Sequence, residues 1–334
     1  MGEKNSMVRK NSAYFQPAFR FSSSLIVRMN LDETNIAYAR RPLTMKTGFS
    51  DYTLFLGASD GKQTDLVQQA VILAAGKGLR LQVVQKENPK CLIDLGPAFL
   101  IEYQIWVLRL LGVKEICVVV GYKGDRVRDV VRPWGCHCIT NDRYEQTNSL
   151  YSLWLTRQWV RDTFLLCNGD VLAHPWIYKS LADGPSSCFT YDSSSGADPE
   201  HMKVTLRQGR LRAVGKDLPL SQVSGENVGI LKFTQTALEP LFDGTRQILQ
   251  TIGDDAWAPQ ALGAMAQQEP IIGIDVAGIP WIEIDFPTDL EYALNRVWPE
   301  IKKCFVPNVG GKEHGNLSSI NRDLPDSSKR FVNL

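Results

Sequence analysis

The chain has 334 residues, 44% of them hydrophobic, and a formal net charge of +1. That is enough for one large α/β domain with flanking segments, and too balanced to draw the protein to nucleic acid or an anionic membrane. No apolar run reaches the roughly eighteen residues of a membrane span, and seven cysteines without a Cys-x-x-Cys pair fit free thiols in a reducing, cytoplasmic setting.

Residues 1–66 read as a poorly ordered N-terminal extension, with Glu3 the only acid among the first thirty and a poor transit-peptide pattern. Tyr52-Thr-Leu-Phe-Leu56 is a short strand within it. Residues 67–300 form the main domain, with strands and helices alternating from 70 to 182 and a less regular second half, and 301–334 read as a polar tail containing Gly310-Gly311. The apolar run from Ala70 predicts a buried parallel strand that enters the turn Ala75-Gly76-Lys77-Gly78. Ala98–Leu111 has helical spacing and stops at Gly112. Strands are expected over 115–122, 136–140 and 163–170, with helices over 124–131 and 148–160 capped by Thr147 or Asn148. Cys136-His137-Cys138 puts both sulfurs on one face of a strand and the histidine on the other, which fits packed thiols better than zinc.

This alternation implies a mostly parallel sheet with helices on both faces, a three-layer α/β/α architecture. Further on, strands are expected over 187–192, 202–206 and 211–216, the last two forming a hairpin about Gln208-Gly209. Another strand covers 227–233, a helix 255–267 despite Pro259, strands 271–276 and 281–284, and a helix opens at Pro287 and runs to Trp298.

Two glycines let the backbone turn tightly and bring N–H groups close to a ligand, and Lys77, Arg80 and Lys90 converge on the same stretch. A strand, a glycine turn and positive charge make a polyphosphate site. The dinucleotide fingerprint lacks its third glycine here, and the Walker loop fails because Leu79 follows Gly78. Polyphosphate calls for magnesium, held by one or two carboxylates. Asp170 ends an apolar strand beside Gly169. Asp285 ends another, and spacing leaves it either a metal ligand or, like Asp289, the cap of the last helix.

The residues Leu73-Ala-Ala-Gly-Lys-Gly-Leu-Arg80, Asn88-Pro-Lys90, Leu100-Ile-Glu-Tyr-Gln104, Thr147-Asn-Ser-Leu-Tyr-Ser-Leu153, Asn168-Gly-Asp170, Met202-Lys-Val204, Val214-Gly-Lys216, Gly225-Glu-Asn-Val-Gly229 and Glu283-Ile-Asp285 recur in family order over 69–298. In them the chain resembles the nucleoside triphosphate transferases. It is most similar to the phosphocholine, inositol-phosphate and phosphonate cytidylyltransferases, and related to the sugar-1-phosphate nucleotidylyltransferases. The resemblance implies a Rossmann-like nucleotidyltransferase fold and transfer of a nucleoside monophosphate, CMP from CTP, to a small phosphate or phosphonate acceptor, releasing pyrophosphate. Leu73, Ala74, Ala75, Gly76, Lys77, Gly78, Arg80, Lys90, Asn168 and Gly169 would bind the nucleotide, and Asp170 and Asp285 would hold Mg2+. Arg80, Lys90 and Lys216 would be the catalytic cations, with Lys216 either on the acceptor's phosphate or a solvated hairpin lysine. Asn148, Tyr151, Glu226 and Asn227 would face the acceptor, although the last two equally suit a loop closure. Tyr151, Trp154, Trp257 and Trp281 make either a cage for a quaternary amine or, as such rings more often do, core. Where the family has Arg-Leu-x-Pro-Leu-Thr, this chain has Arg80-Leu-Gln-Val-Val-Gln.

A sugar-1-phosphate transferase using UTP, GTP or dTTP, and a nucleotide sensor without turnover, are the competing expectations. A glycosyltransferase is disfavoured because Asn168-Gly-Asp170 replaces the usual Asp-x-Asp. A homo-oligomer is left open.

Overall fold

The computed structural model describes residues 52–54, 67–85, 88–184, 186–196 and 198–307. Apart from 52–54, the expected extension over 1–66 lies outside the described residues, as does the tail from 308. The strands are β1 (Tyr52–Leu54), β2 (Gln69–Ala74), β3 (Glu115–Val120), β4 (His137–Thr140), β5 (Phe164–Asn168), β6 (Val171–Ala173), β7 (Cys188–Asp192), β8 (Lys203–Arg207), β9 (Arg210–Gly215), β10 (Gly225–Phe233), β11 (Ile272–Asp275), β12 (Trp281–Glu283) and β13 (Phe305–Pro307).

Strand β2 shows why the molecule is layered. Ala70, Ile72 and Ala74 point into one apolar cluster, with the helices Leu100–Leu110, Gly124–Val131 and Pro175–Ala182. Val71 and Ala75 point into the other, with Ser149–Leu155, Leu238–Thr251 and Gln260–Met265. A strand covered on both faces needs an unbroken apolar run, and β2, β3 and β5 have one, with Gln69, Glu115 and Asn168 only at their ends. The period-two reading of residues 136–138 agrees with this layering. Cys136 and Cys138 pack on the first cluster, while the His137 ring stacks on Trp159, 6.0 Å away.

The sheet corrects the expectation of a mostly parallel array. β4, β3, β2 and β5 are parallel, but β10 then joins β5 antiparallel. From β10 the order runs β7, β11, β9, β8, and β8 pairs back onto β10 through Gly225 and Val204. The second half therefore closes into a small barrel of five strands attached to an open parallel half. Within β10 the register shifts between Asn227 and Leu231, and Gly229 takes φ 83° there, as a bulge requires.

Local differences have local causes. The helix expected over 148–160 is α-helical only over Ser149–Leu155 and tightens to a 3-10 turn after it. The helix expected from 255 begins at Gln260, because Pro259 is its N-cap rather than an interior residue. The last helix runs Pro287–Tyr292, then widens to a π turn over Ala293–Val297 before Trp298–Lys302. Helix Leu238–Thr251 was not anticipated, although Leu238, Leu241, Thr245 and Ile248 lie along one face. Pro240 lies in its first turn, where proline is tolerated, and Gly244 packs against Ala264. Elements continue past residue 300 to β13, which pairs antiparallel with β1.

Candidate functional site

The site lies at the carboxyl ends of β2 and β5, where ligands sit in such sheets. The turn after β2 takes its shape from Gly78, whose φ of 59° is left-handed and whose missing Cβ leaves room for the Lys90 side chain, with Lys90 Cβ 3.1 Å from where it would stand. Gly76 has open space around it. Arg80 follows in a short 3-10 turn, half-exposed, its guanidinium 4.8 Å over the Phe286 ring. Lys77 pairs with Glu145. Lys90 opens the 3-10 turn Lys90–Leu92. Buried Cys91 and Leu92 anchor that turn in the core, so its ammonium is placed by the fold.

After β5 the chain turns through Gly169, whose N–H donates to Leu73 O at 2.9 Å; a Cβ at 169 would lie 2.8 Å from that same carbonyl. Asp170 sits in this turn, between β5 and β6. Buried Gln104 reaches from its helix to donate to Asn168 O and Val171 O, both at 2.8 Å, and so clamps the turn. β6 then pairs antiparallel with β12, Val171 opposite Glu283, and Ile284 N–H donates to Asp170 O at 3.0 Å. This two-stranded ribbon is what brings Asp285 to Asp170. Neither Asp285 nor Asp289 is the N-cap of the next helix, which is Phe286; Asp289, at its third position, reaches back to accept the N–H groups of Asp285 and Phe286 at 2.9 and 2.7 Å. The Asp285 side chain is left for Lys90.

Lys90 Nζ donates to Asp170 Oδ2 at 2.8 Å and also to Asp285 Oδ1. Arg80 stands 3.9 Å from the other oxygen of Asp285. Burial disfavours the Lys90 ammonium, but Asp170, Asp285 and Glu283 outweigh it and hold its pKa above the ordinary lysine value. Burial, then Asp170 and Asp285, push Glu283 up to about 8. Two carboxylates thus bond one largely covered ammonium, and Glu283 adds its charge to the same site. Among the described residues no group of three or more His, Cys, Asp and Glu side chains forms a complete metal cage. The Asp170–Asp285 pair instead suits a cation such as magnesium, which takes one or two carboxylates and fills its shell with phosphate oxygens and water.

The residues expected on the acceptor side are more dispersed. Lys216 follows β9, its ammonium 4.8 Å over the Trp257 ring and 3.4 Å from Glu200 Oε2. Glu226 is buried on β10, where Ser195 Oγ donates to it and His201 Nδ1 lies 3.1 Å away; burial pushes its carboxyl up to about 7. Asn227 is also buried, its Oδ1 without a hydrogen-bond partner. Asn168 ends β5 against Gly229. Asn148 caps the helix Ser149–Leu155 and donates to Asp255 O at 3.3 Å. The four rings considered for a cage have four separate partners: Arg143 over Tyr151, Arg157 over Trp154, Lys216 over Trp257, and Asp192 accepting from Trp281 Nε1 at 2.9 Å. Sequence reasoning gave no role to Gln104, Glu200 or Glu283. Gln104 alone had a readable signal, a polar side chain in the middle of a helix whose other polar residues, Glu102 and Arg109, lie in its end turns.

A family model described as a MobA-like NTP transferase domain matches residues 70–217. A choline-phosphate cytidylyltransferase from Streptococcus pneumoniae is 34% identical over 125 residues, 37% of this chain and 52% of that protein. A CTP:phosphoglutamine cytidylyltransferase from Campylobacter jejuni is 22% identical over 254 residues, 68% of this chain and 99% of that one. The match to the first thus spans about half of its length. The solved inositol-1-phosphate CTP transferase from T. maritima superposes with a TM-score of 0.62 at 24% identity, covering 72% of this chain and 98% of that one, a likeness of fold. Among the described residues no helix is long and apolar enough to cross a membrane.

Proposed function

Since the chain belongs to the MobA-like NTP transferase and cytidylyltransferase superfamily, we propose that it transfers CMP from CTP to a small phosphorylated alcohol or a phosphonate and releases pyrophosphate. The observation that carries this reading is the meeting of Asp170, Lys90 and Asp285 beside the glycine turn. The names of the two curated relatives support CTP as donor. In the proposed mechanism the turn from Gly76 to Arg80 holds the β- and γ-phosphates, and Lys90 neutralises the α-phosphate. Lys216 orients the acceptor oxygen for in-line attack on the α-phosphorus. A phosphate or phosphonate dianion is already nucleophilic, so charge neutralisation and positioning suffice without a general base. Asp170 and Asp285 would hold magnesium, which supplies further positive charge against the triphosphate.

The test is pyrophosphate release with magnesium, crossing CTP, UTP, GTP and dTTP with phosphocholine, phosphoethanolamine, 2-aminoethylphosphonate, inositol 1-phosphate and glucose 1-phosphate. A CTP signal with one of the first four acceptors supports the proposal, and Asp170→Ala should lower it by about a hundredfold or more. A signal confined to glucose 1-phosphate with another nucleotide would replace the proposal with sugar activation. Full activity in Asp170→Ala would remove the carboxylate from the reaction.

A further inference from the structure

We propose that the Glu200 carboxylate is a built-in stand-in for substrate phosphate: it holds Arg80 and Lys216 in the ligand-free protein, and its displacement couples the binding of the two substrates. The identity of those substrates rests on the function proposed above. One oxygen, Glu200 Oε2, lies 3.4 Å from an Arg80 guanidinium nitrogen and 3.4 Å from Lys216 Nζ. Arg80 belongs to the glycine turn and Lys216 to the end of β9, so one carboxylate joins the two cations that the proposed reaction gives to different substrates. It completes an alternating row of charge: Asp170, Lys90, Asp285, Arg80, Glu200, Lys216.

The contacts are built to be given up. Both distances are long for charged hydrogen bonds and Glu200 is half exposed, so each pair is weak. A phosphate brings more charge and more acceptor oxygens to the same cations. Each cation also has a second support, Arg80 against Phe286 and Lys216 against Trp257, which keeps it in place when the carboxylate leaves. The backbone around Glu200 is fastened. Buried Lys203 donates to Lys216 O at 2.7 Å and to Pro199 O and His201 O at 3.4 Å, and Glu200 N–H donates to Asp198 Oδ1 at 2.9 Å. Displacement is therefore a swing of one side chain. The first ligand to arrive does most of the work of moving Glu200, and the second finds its cation already released. Such coupling must be reciprocal.

The test is calorimetry on the full chain with magnesium, using inorganic tripolyphosphate and inorganic phosphate as probes of the two sides. Wild type should bind each probe about threefold tighter in the presence of the other, whereas Glu200→Gln should bind each alone about three- to tenfold tighter and show no mutual enhancement. Glu200→Ala should behave alike, and both variants should keep the wild-type melting temperature. If Glu200→Gln binds either probe more weakly or unchanged, or keeps the enhancement, Glu200 is a structural support and the proposal fails. Failure of the proposed reaction reads differently: no nucleotide and acceptor pair turns over, while the tripolyphosphate signature of Glu200 still decides its own case.

Discussion

At the scale of single residues, the decisive feature is one ammonium among three carboxyl groups. The Lys90 side chain is 13% exposed and Asp170 24%, so water does little to screen either. Removing Lys90 takes away the cation that Asp170 and Asp285 share, and leaves only Arg80, at 3.9 Å from Asp285, as a nearby counter-charge. Lys90→Met, measured by urea unfolding without divalent cations, should cost about 3 kcal/mol. Most of that cost is repulsion and lost pairing, so Asp170→Asn in the same chain should recover part of it, with a coupling of at least about 1 kcal/mol between the two sites. Strictly additive losses would mean that the two side chains do not depend on each other. The glycine turn, Lys90 and the two aspartates were all readable as candidates, because each interrupts or ends an apolar run with a residue that the run does not need. Glu200 was not. It stands in an exposed polar loop without period, and its contact with Arg80 spans 120 residues.

The elements that carry the site are held by their ends, and one such end is sensitive to pH. His174 is the N-cap of the helix Pro175–Ala182, its Nδ1 accepting the Trp176 N–H at 3.1 Å, and burial lowers its pKa to about 4. Protonation would convert that acceptor to a donor and put positive charge at a helix N-terminus. The folded pKa lies below the unfolded value of 6.5, so the unfolded chain takes up the proton first as pH falls. The contribution is present above pH 6.5 and is lost between 6.5 and about 4, amounting to about 3 kcal/mol. Glu226 and Glu283 have raised values and slope the opposite way in this window, so the signal must be read as a difference. His174→Asn keeps a capping oxygen, and the stability gap between wild type and variant should narrow or reverse as pH falls from 7 to 4.5. A gap independent of pH would show that the imidazole does not resist protonation. Elements buried on both faces, such as β2 and β3, were legible because the sheet demands an unbroken apolar run. The helix Leu238–Thr251 was not, because Pro240 and Gly244 break its pattern where the fold has specific uses for them.

For the molecule as a whole, the antiparallel return of β8 onto β10 could not be read from local sequence, since it joins Val204 to Gly225 around an intervening hairpin. The end of the fold raises the same issue, because composition places a tail from residue 301 while packing continues beyond it. Ile301 is fully buried, and the Phe305 ring meets Trp106 edge-on at 5.2 Å and Trp298 at 5.6 Å. Tyr103 joins the cluster at 5.4 Å from Trp298, and its hydroxyl donates to Ala173 O at 2.7 Å, on the ribbon that sets Asp170 beside Asp285. The C-terminal segment is thereby connected through one aromatic cluster to the site. Phe305→Ala should cost about 2–3 kcal/mol, less than a fully enclosed phenylalanine because this ring is only partly covered. In a domain of this size that lowers the melting temperature by about 4–12 °C. Truncation after residue 300 removes Ile301 as well and should lower it further, while Lys303→Ala, at an exposed position of the same segment, should leave it nearly unchanged. A truncated chain that melts with the wild type would put the boundary of the folding unit at residue 300, and the aromatic cluster would then be an attachment rather than a support.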